Sequence, residues 1–161
     1  MRDINNKVAL LDRRRELEGQ LSKGPSDLKT ILELADVYRK LGLIEAFAAV
    51  VRSVVENPQI PPQVFLQMAQ MASEEKRWDV MALALDKYVA RVPTDAKAWI
   101  ELAMVRMVMQ NQAETIKALQ QAVRVGGDDT LQTLKDDRRF DPIRRHDAFQ
   151  RLFNRQGVNR Y

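Results

Sequence analysis

The chain contains no cysteine in 161 residues, so disulfides, thiol catalysis and cysteine-based zinc sites are all excluded. Histidine occurs once, as His146. A general base or a metal site needs partners placed around it. One histidine flanked by Asp141 and Asp147 falls short of that, and it reads as a surface or capping residue. Glycine and proline number only 6 each, which argues against a long disordered tract and against a turn-rich β protein. Long apolar runs are also missing. The longest, such as Ala46 to Val51, fall far short of the ~20 residues that span a bilayer. The first residues lack the apolar core of a secretory signal. If Met1 is the natural start, a cytoplasmic protein is expected. If the chain is an excised piece, it would be the soluble part of a membrane-anchored or periplasmic protein. Excess charge is small as well: the net +4 permits acidic partners without requiring nucleic acid.

What the chain does contain is a repeat. Ile31, Phe65 and Trp99 stand 34 residues apart. Leu34, Met68 and Leu102 keep the interval, as do Ala35, Ala69 and Ala103, and then Val51, Leu85 and Leu119. A fixed period of this length marks units that stack on copies of themselves. Within each unit the apolar residues recur at three and four, the helical spacing. Residues 2–22 read as one amphipathic helix, with Ile4, Val8 and Leu11 on one stripe and Leu10, Leu17 and Leu21 on another. Gly24-Pro25-Ser26 breaks it. Three helix pairs follow, at about 28–61, 62–95 and 96–128, separated by Pro58, Pro61, Pro62 and Pro93 and closed by Gly126-Gly127 as a helix C-cap and turn. The segment 129–161 supplies capping helices broken at Asp141-Pro142.

These residues resemble the tetratricopeptide repeat family. The third unit carries Trp99, Leu102, Ala103, Leu119 and Ala122; the first carries Ile31, Leu34, Ala35, Tyr38 and Gly42; the second carries Phe65, Met68, Ala69, Leu85 and Pro93. The pattern departs from the family at the Tyr position, which holds Ala72 and Arg106, and the turn glycine survives only as Gly42. The resemblance implies an all-α, right-handed superhelical stack of antiparallel helix pairs, with an N-terminal helix over 1–24, repeats over 25–128 and a cap beyond.

The resemblance also implies a groove lined by the first helix of each pair. Its candidate residues are Lys29, Leu32 and Asp36 in the first unit, Gln63, Leu66, Gln67 and Gln70 in the second, and Lys97, Ile100, Glu101 and Met104 in the third. Gln side chains can both donate to and accept from a peptide backbone. Leu32, Leu66 and Ile100 form an apolar strip, and Met104 is an adaptable apolar contact. The same three leucine and isoleucine positions are also where core residues would sit. The carboxylate clamp of chaperone-docking relatives is not matched: of Leu32, Asp36, Gln67, Lys97 and Glu101 only Lys97 agrees. A second candidate surface is the Arg-rich tail, with Arg138, Arg139, Arg144, Arg145 and Arg151, and further Arg155 and Arg160. It suits an acidic protein surface better than nucleic acid, because Asp136, Asp137, Asp141 and Asp147 offset its charge and Phe140, Phe149 and Phe153 have core spacing. The expectation is a non-enzymatic module, with no cofactor or metal, that holds a peptide or protein surface in the groove. The alternative is an architectural domain that self-associates through its end helices.

Overall fold

In the computed structural model, residues 1–24 and 27–154 are described, so Pro25, Ser26, Arg155, Arg160 and Tyr161 lie outside them. The fold is an α-solenoid with no strand among the described residues. Its helices are α1 (Arg2–Ser22), α2 (Leu28–Lys40), α3 (Ile44–Glu56), α4 (Gln63–Glu74), α5 (Trp78–Arg91), α6 (Ala96–Val108), α7 (Gln112–Asp136) and α8 (Asp147–Asn154), with a 3₁₀ turn at Arg138–Ile143 before the last. Among the described residues three α-helices are capped by side chains at the N-terminus. Asp27 accepts from the Thr30 N–H at 2.8 Å, Asp95 from Ala98 at 3.2 Å and Asn111 from Glu114 at 3.2 Å. Each satisfies a backbone donor that the first helical turn leaves free.

The turns inside the pairs repeat as faithfully as the helices. Gly42, Lys76 and Gln110 stand 34 apart and all have positive φ, at 73°, 54° and 60°. In each turn the next N–H reaches back across the helix end: Leu43 to the Tyr38 carbonyl at 2.8 Å, Arg77 to Ala72 at 2.9 Å and Asn111 to Arg106 at 2.9 Å. This closes the last helical carbonyls in the same way three times. The turn therefore survives where the glycine does not, at the strain of placing Lys76 and Gln110 in the left-handed region.

Helix α1 belongs to the same register. Leu17 precedes Val51 by 34 residues, and Leu17, Val51, Leu85 and Leu119 are all buried. The second half of α1 thus stands where the second helix of a further unit would stand. It packs on α2 through Leu17, Leu34 and Val37, with Leu10 and Leu21 at the margin. At the positions of Phe47 and Val54 it carries Arg13 and Gln20 instead. A polar face there is what an end unit needs. Arg13 does more than face water, because its Nε and a terminal NH₂ donate to both carboxylate oxygens of Glu33 at 2.7 and 2.8 Å.

The residue at the Tyr position sets how the second helices meet. Ala72 is fully buried, and α3 packs directly on α5 above it. Tyr38 and Arg106, at the equivalent places, are bulky and only half-buried. Above them, clefts of about 370 Å³ and 310 Å³ separate α1 from α3 and α5 from α7. The Tyr38 hydroxyl donates to Glu18 at 2.8 Å, and Arg106 pairs with Asp86, which again lies 20 residues earlier.

Gly127 interrupts α7 with φ 62° and ψ −143°. Its neighbour Gly126 is a packing requirement, since a Cβ there would come within 2.8 Å of the Ala96 methyl and closer still to the Thr130 hydroxyl. Beyond the break, Phe140 and Phe149 are buried with ring centroids 6.4 Å apart. They serve the core of the cap and are not available to stack on bases.

Candidate functional site

Helices α2, α4 and α6 present the candidate groove. Lys29, Gln63 and Lys97, one per unit and 34 apart, are exposed along it. Gln67 and Gln70 are exposed as well, with the Gln70 amide donating to Glu74 at 3.3 Å. Leu32, Leu66 and Met104 are half-buried, each with one side on the core. Ile100 departs from its repeat equivalents: it is buried, so it belongs to the core and not to the groove floor. The tail crosses α6 at this point, with Arg139 donating to Glu101 at 2.8 Å.

Charge within the groove is largely settled by internal pairing. Asp36 accepts from Lys40 at 2.7 Å and from Arg39 at 3.2 Å. Arg39 also spans to α4, where it donates to Glu74 at 2.6 Å and to the Met71 carbonyl at 3.1 Å. This bracket ties the first two units together across the groove. Hydrogen bonds from Arg39 and Gln70 hold the Glu74 carboxyl below its usual range, and Arg13 does the same to Glu33. Glu33 and Glu101 occupy equivalent positions 68 residues apart, and each is taken by an arginine from a flanking segment. What remains open is the middle of the groove: Leu66 with the amides of Gln63, Gln67 and Gln70, bordered by Leu32 and Met104.

The Arg-rich tail divides into two groups. Arg144 donates to the Leu134, Lys135 and Asp137 carbonyls at 3.2, 3.1 and 2.6 Å and to the Asp141 carboxylate at 2.9 Å. Its guanidinium also lies over the Phe149 ring at 5.5 Å. Arg139 is held by Asp137 and Glu101, and its hydrogen bonds push the Asp137 carboxyl down. These two arginines hold the cap together, and their charge is already engaged within the chain. Arg138, Arg145 and Arg151 are exposed and make no ion pair among the described residues. His146 is exposed too. Among the described residues no three His, Cys, Asp or Glu side chains converge to hold a metal ion. No described helix is long and apolar enough to cross a membrane.

Sequence reasoning missed the two clefts between second helices. The signal was present, in Ala72 and Arg106 standing at the repeat position that holds Tyr38 in the first unit. The α5–α7 cleft is walled by Trp99, Asp86, Glu114 and Lys117 over Arg106. Burial pushes the Asp86 carboxyl up despite the Arg106 beside it.

Crystal structures of MamA share this fold. One superposes with a TM-score of 0.53 at 17% identity, covering 88% of this chain and 82% of that one. Another gives 0.54 at 16% identity, covering 93% and 82%. Identity at that level speaks for the helical-repeat architecture alone. No family model matches this sequence, and no curated protein matches it.

Proposed function

We propose that the chain is a non-enzymatic protein-interaction module of the tetratricopeptide type whose first-helix groove holds an extended peptide segment. The observation that carries this is the exposed amide series Gln63, Gln67 and Gln70 beside the half-buried Leu66, between internally paired charges such as Asp36, Arg39, Lys40 and Glu74. Amides can bond to any peptide backbone, and a half-buried leucine offers an apolar anchor point without collapsing into the core. Lys29 and Lys97, exposed at the two ends, favour acidic residues flanking that anchor.

The test is selection of binders from a random peptide library, followed by titration against Gln67→Ala/Gln70→Ala. Both side chains are exposed, so the fold is expected to survive, as far-UV circular dichroism would check. Selected peptides should weaken about tenfold or more on the double variant and be unaffected by Lys117→Ala in the α5–α7 cleft. Peptides that bind both groove forms equally would sink the reading.

A second reading, self-association through an end helix, is favoured by one specific observation: residues 1–9 are exposed at every position.

A further inference from the structure

The first third of α1 touches little of the rest of the molecule, yet it is not uniformly polar. Ile4 is 68% and Val8 51% exposed, and Met1 is fully exposed. With Leu11, which is half-buried, they fall at intervals of three, four and three. At 100° per residue this stripe lies about 140° around the helix from Leu10, Leu17 and Leu21, which pack toward α2. It therefore points away from the body of the protein, where a second α1 can approach without meeting α2.

The intervals define a heptad in which Met1 and Val8 take the a positions and Ile4 and Leu11 the d positions. Val8 at a with Leu11 at d is the combination that favours two strands, although Ile4 at d does not add to it. The flanks then fix direction. Lys7 falls at g, and Asp12 falls at e of the following heptad. In a parallel pair these two positions face each other across the interface, lysine to aspartate, and symmetry provides the contact twice. In an antiparallel pair the g flank faces the g flank, which sets Lys7 and Arg14 against like charges. Within one molecule Lys7 makes no ion pair among the described residues, and Asp12 holds only a 4.0 Å contact to Arg15. Arg15 takes the next a position and ends the apolar seam.

We propose that α1 pairs with α1 of a second copy of this chain as a short parallel coiled coil along Met1, Ile4, Val8 and Leu11, oriented by Lys7 and Asp12. This deepens the self-association reading above and is independent of the groove. Four apolar side chains a side bury well under the roughly 1,200 Å² of a stable interface, so the pairing is weak and concentration-dependent.

Sedimentation equilibrium of the whole chain between about 10 μM and about 1 mM should show the mass rising from 18.6 kDa toward twice that value. Ile4→Asp/Val8→Asp should abolish the rise without changing helicity or melting temperature, because both side chains are exposed in the monomer. Lys7→Glu should weaken it about tenfold, and Lys7→Glu/Asp12→Lys should restore it. The absence of cysteine makes a direct orientation test clean. In the parallel pair, Ile4→Cys and Val8→Cys each crosslink to themselves. In an antiparallel pair only a mixture of the two crosslinks. A monomer throughout the range would overturn both this inference and self-association itself. A dimer indifferent to Ile4→Asp/Val8→Asp, or crosslinks between unlike cysteines only, would overturn this inference and leave self-association standing.

Discussion

Replacing Arg144 with alanine should destabilise the C-terminal cap, whereas the same change at its neighbour Arg145 should do almost nothing. Arg144 serves three carbonyls where α7 ends, the Asp141 carboxylate and the face of Phe149. A hydrogen bond to a charged group contributes roughly 1.5–3 kcal/mol when well shielded. Here the side chain is 32% exposed, so water recovers part of each contact. The set as a whole is then worth about 2–4 kcal/mol. At this chain length each 1 kcal/mol moves the melting temperature by roughly 2–4 °C, so a fall of about 4–16 °C is expected. Solenoids can lose an end unit first, so the same variant should show an early, shallow phase as the Phe140–Phe149 cap opens. Arg144→Lys should recover less than half of the loss, because an ammonium cannot reach carbonyls in several directions at once. Arg145 is exposed and makes no ion pair among the described residues, and its removal should stay within about 0.5 kcal/mol. Melts followed by circular dichroism and calorimetry decide the matter. Equal behaviour of Arg144→Ala and Arg145→Ala, or a loss at Arg144 below about 0.5 kcal/mol, would refute the assignment.

Three further outcomes follow from the geometry. Ala72→Tyr puts the family's usual residue beneath the α3–α5 contact, where there is no space for it; urea unfolding should show a loss of about 1–3 kcal/mol, and an unchanged midpoint would contradict the role given to Ala72. Lys76→Gly and Gln110→Gly relieve left-handed strain of about 1–2 kcal/mol against an entropic cost of roughly 0.5–1, so each should raise stability by about 0.5 kcal/mol and the two should add; a lowered urea midpoint would count against the shared turn. Tyr38, pushed up to about 12 by burial and by Glu18, and Tyr88, pushed up to about 12 by its bond to Asp95 and by burial, should both ionise late in a spectrophotometric titration. Because their folded values lie above the ordinary 10, the stability they contribute is complete below pH 10 and lost as pH rises through 12. Normal titration of both near pH 10 in folded protein would show that neither bond persists in solution.

The helix pairs were legible because the 34-residue spacing of Ile31, Phe65 and Trp99 reports a stacking requirement, which the sequence cannot meet in another way. The place of α1 was harder to read. Leu17 keeps the interval to Val51, but Arg13 and Gln20 erase the apolar pattern around it, since an end unit must face water where an inner one faces a neighbour. The groove was legible only as a line of positions. Equal spacing left Leu32, Leu66 and Ile100 readable as groove strip or as core alike, and only Ile100 is buried, beside the Glu101 that the non-periodic tail takes through Arg139. Arg144 and Arg145 are the same residue side by side. Nothing in their sequence tells which one turns back onto the end of α7.

The alternation of Tyr38, Ala72 and Arg106 also has mechanical meaning. Where α3 and α5 touch over Ala72, two units are welded along their backs, and any bend there must compress packed side chains. Over Tyr38 and Arg106 the backs are separated by clefts, and bending there deforms a hydrogen bond or an ion pair above the shared core without compressing a contact between second helices. The middle of the stack is thus stiffer along its back than either side of it. Elastic energy stored when the molecule is pulled or curved should collect at those two clefts more than at the α3–α5 contact between them.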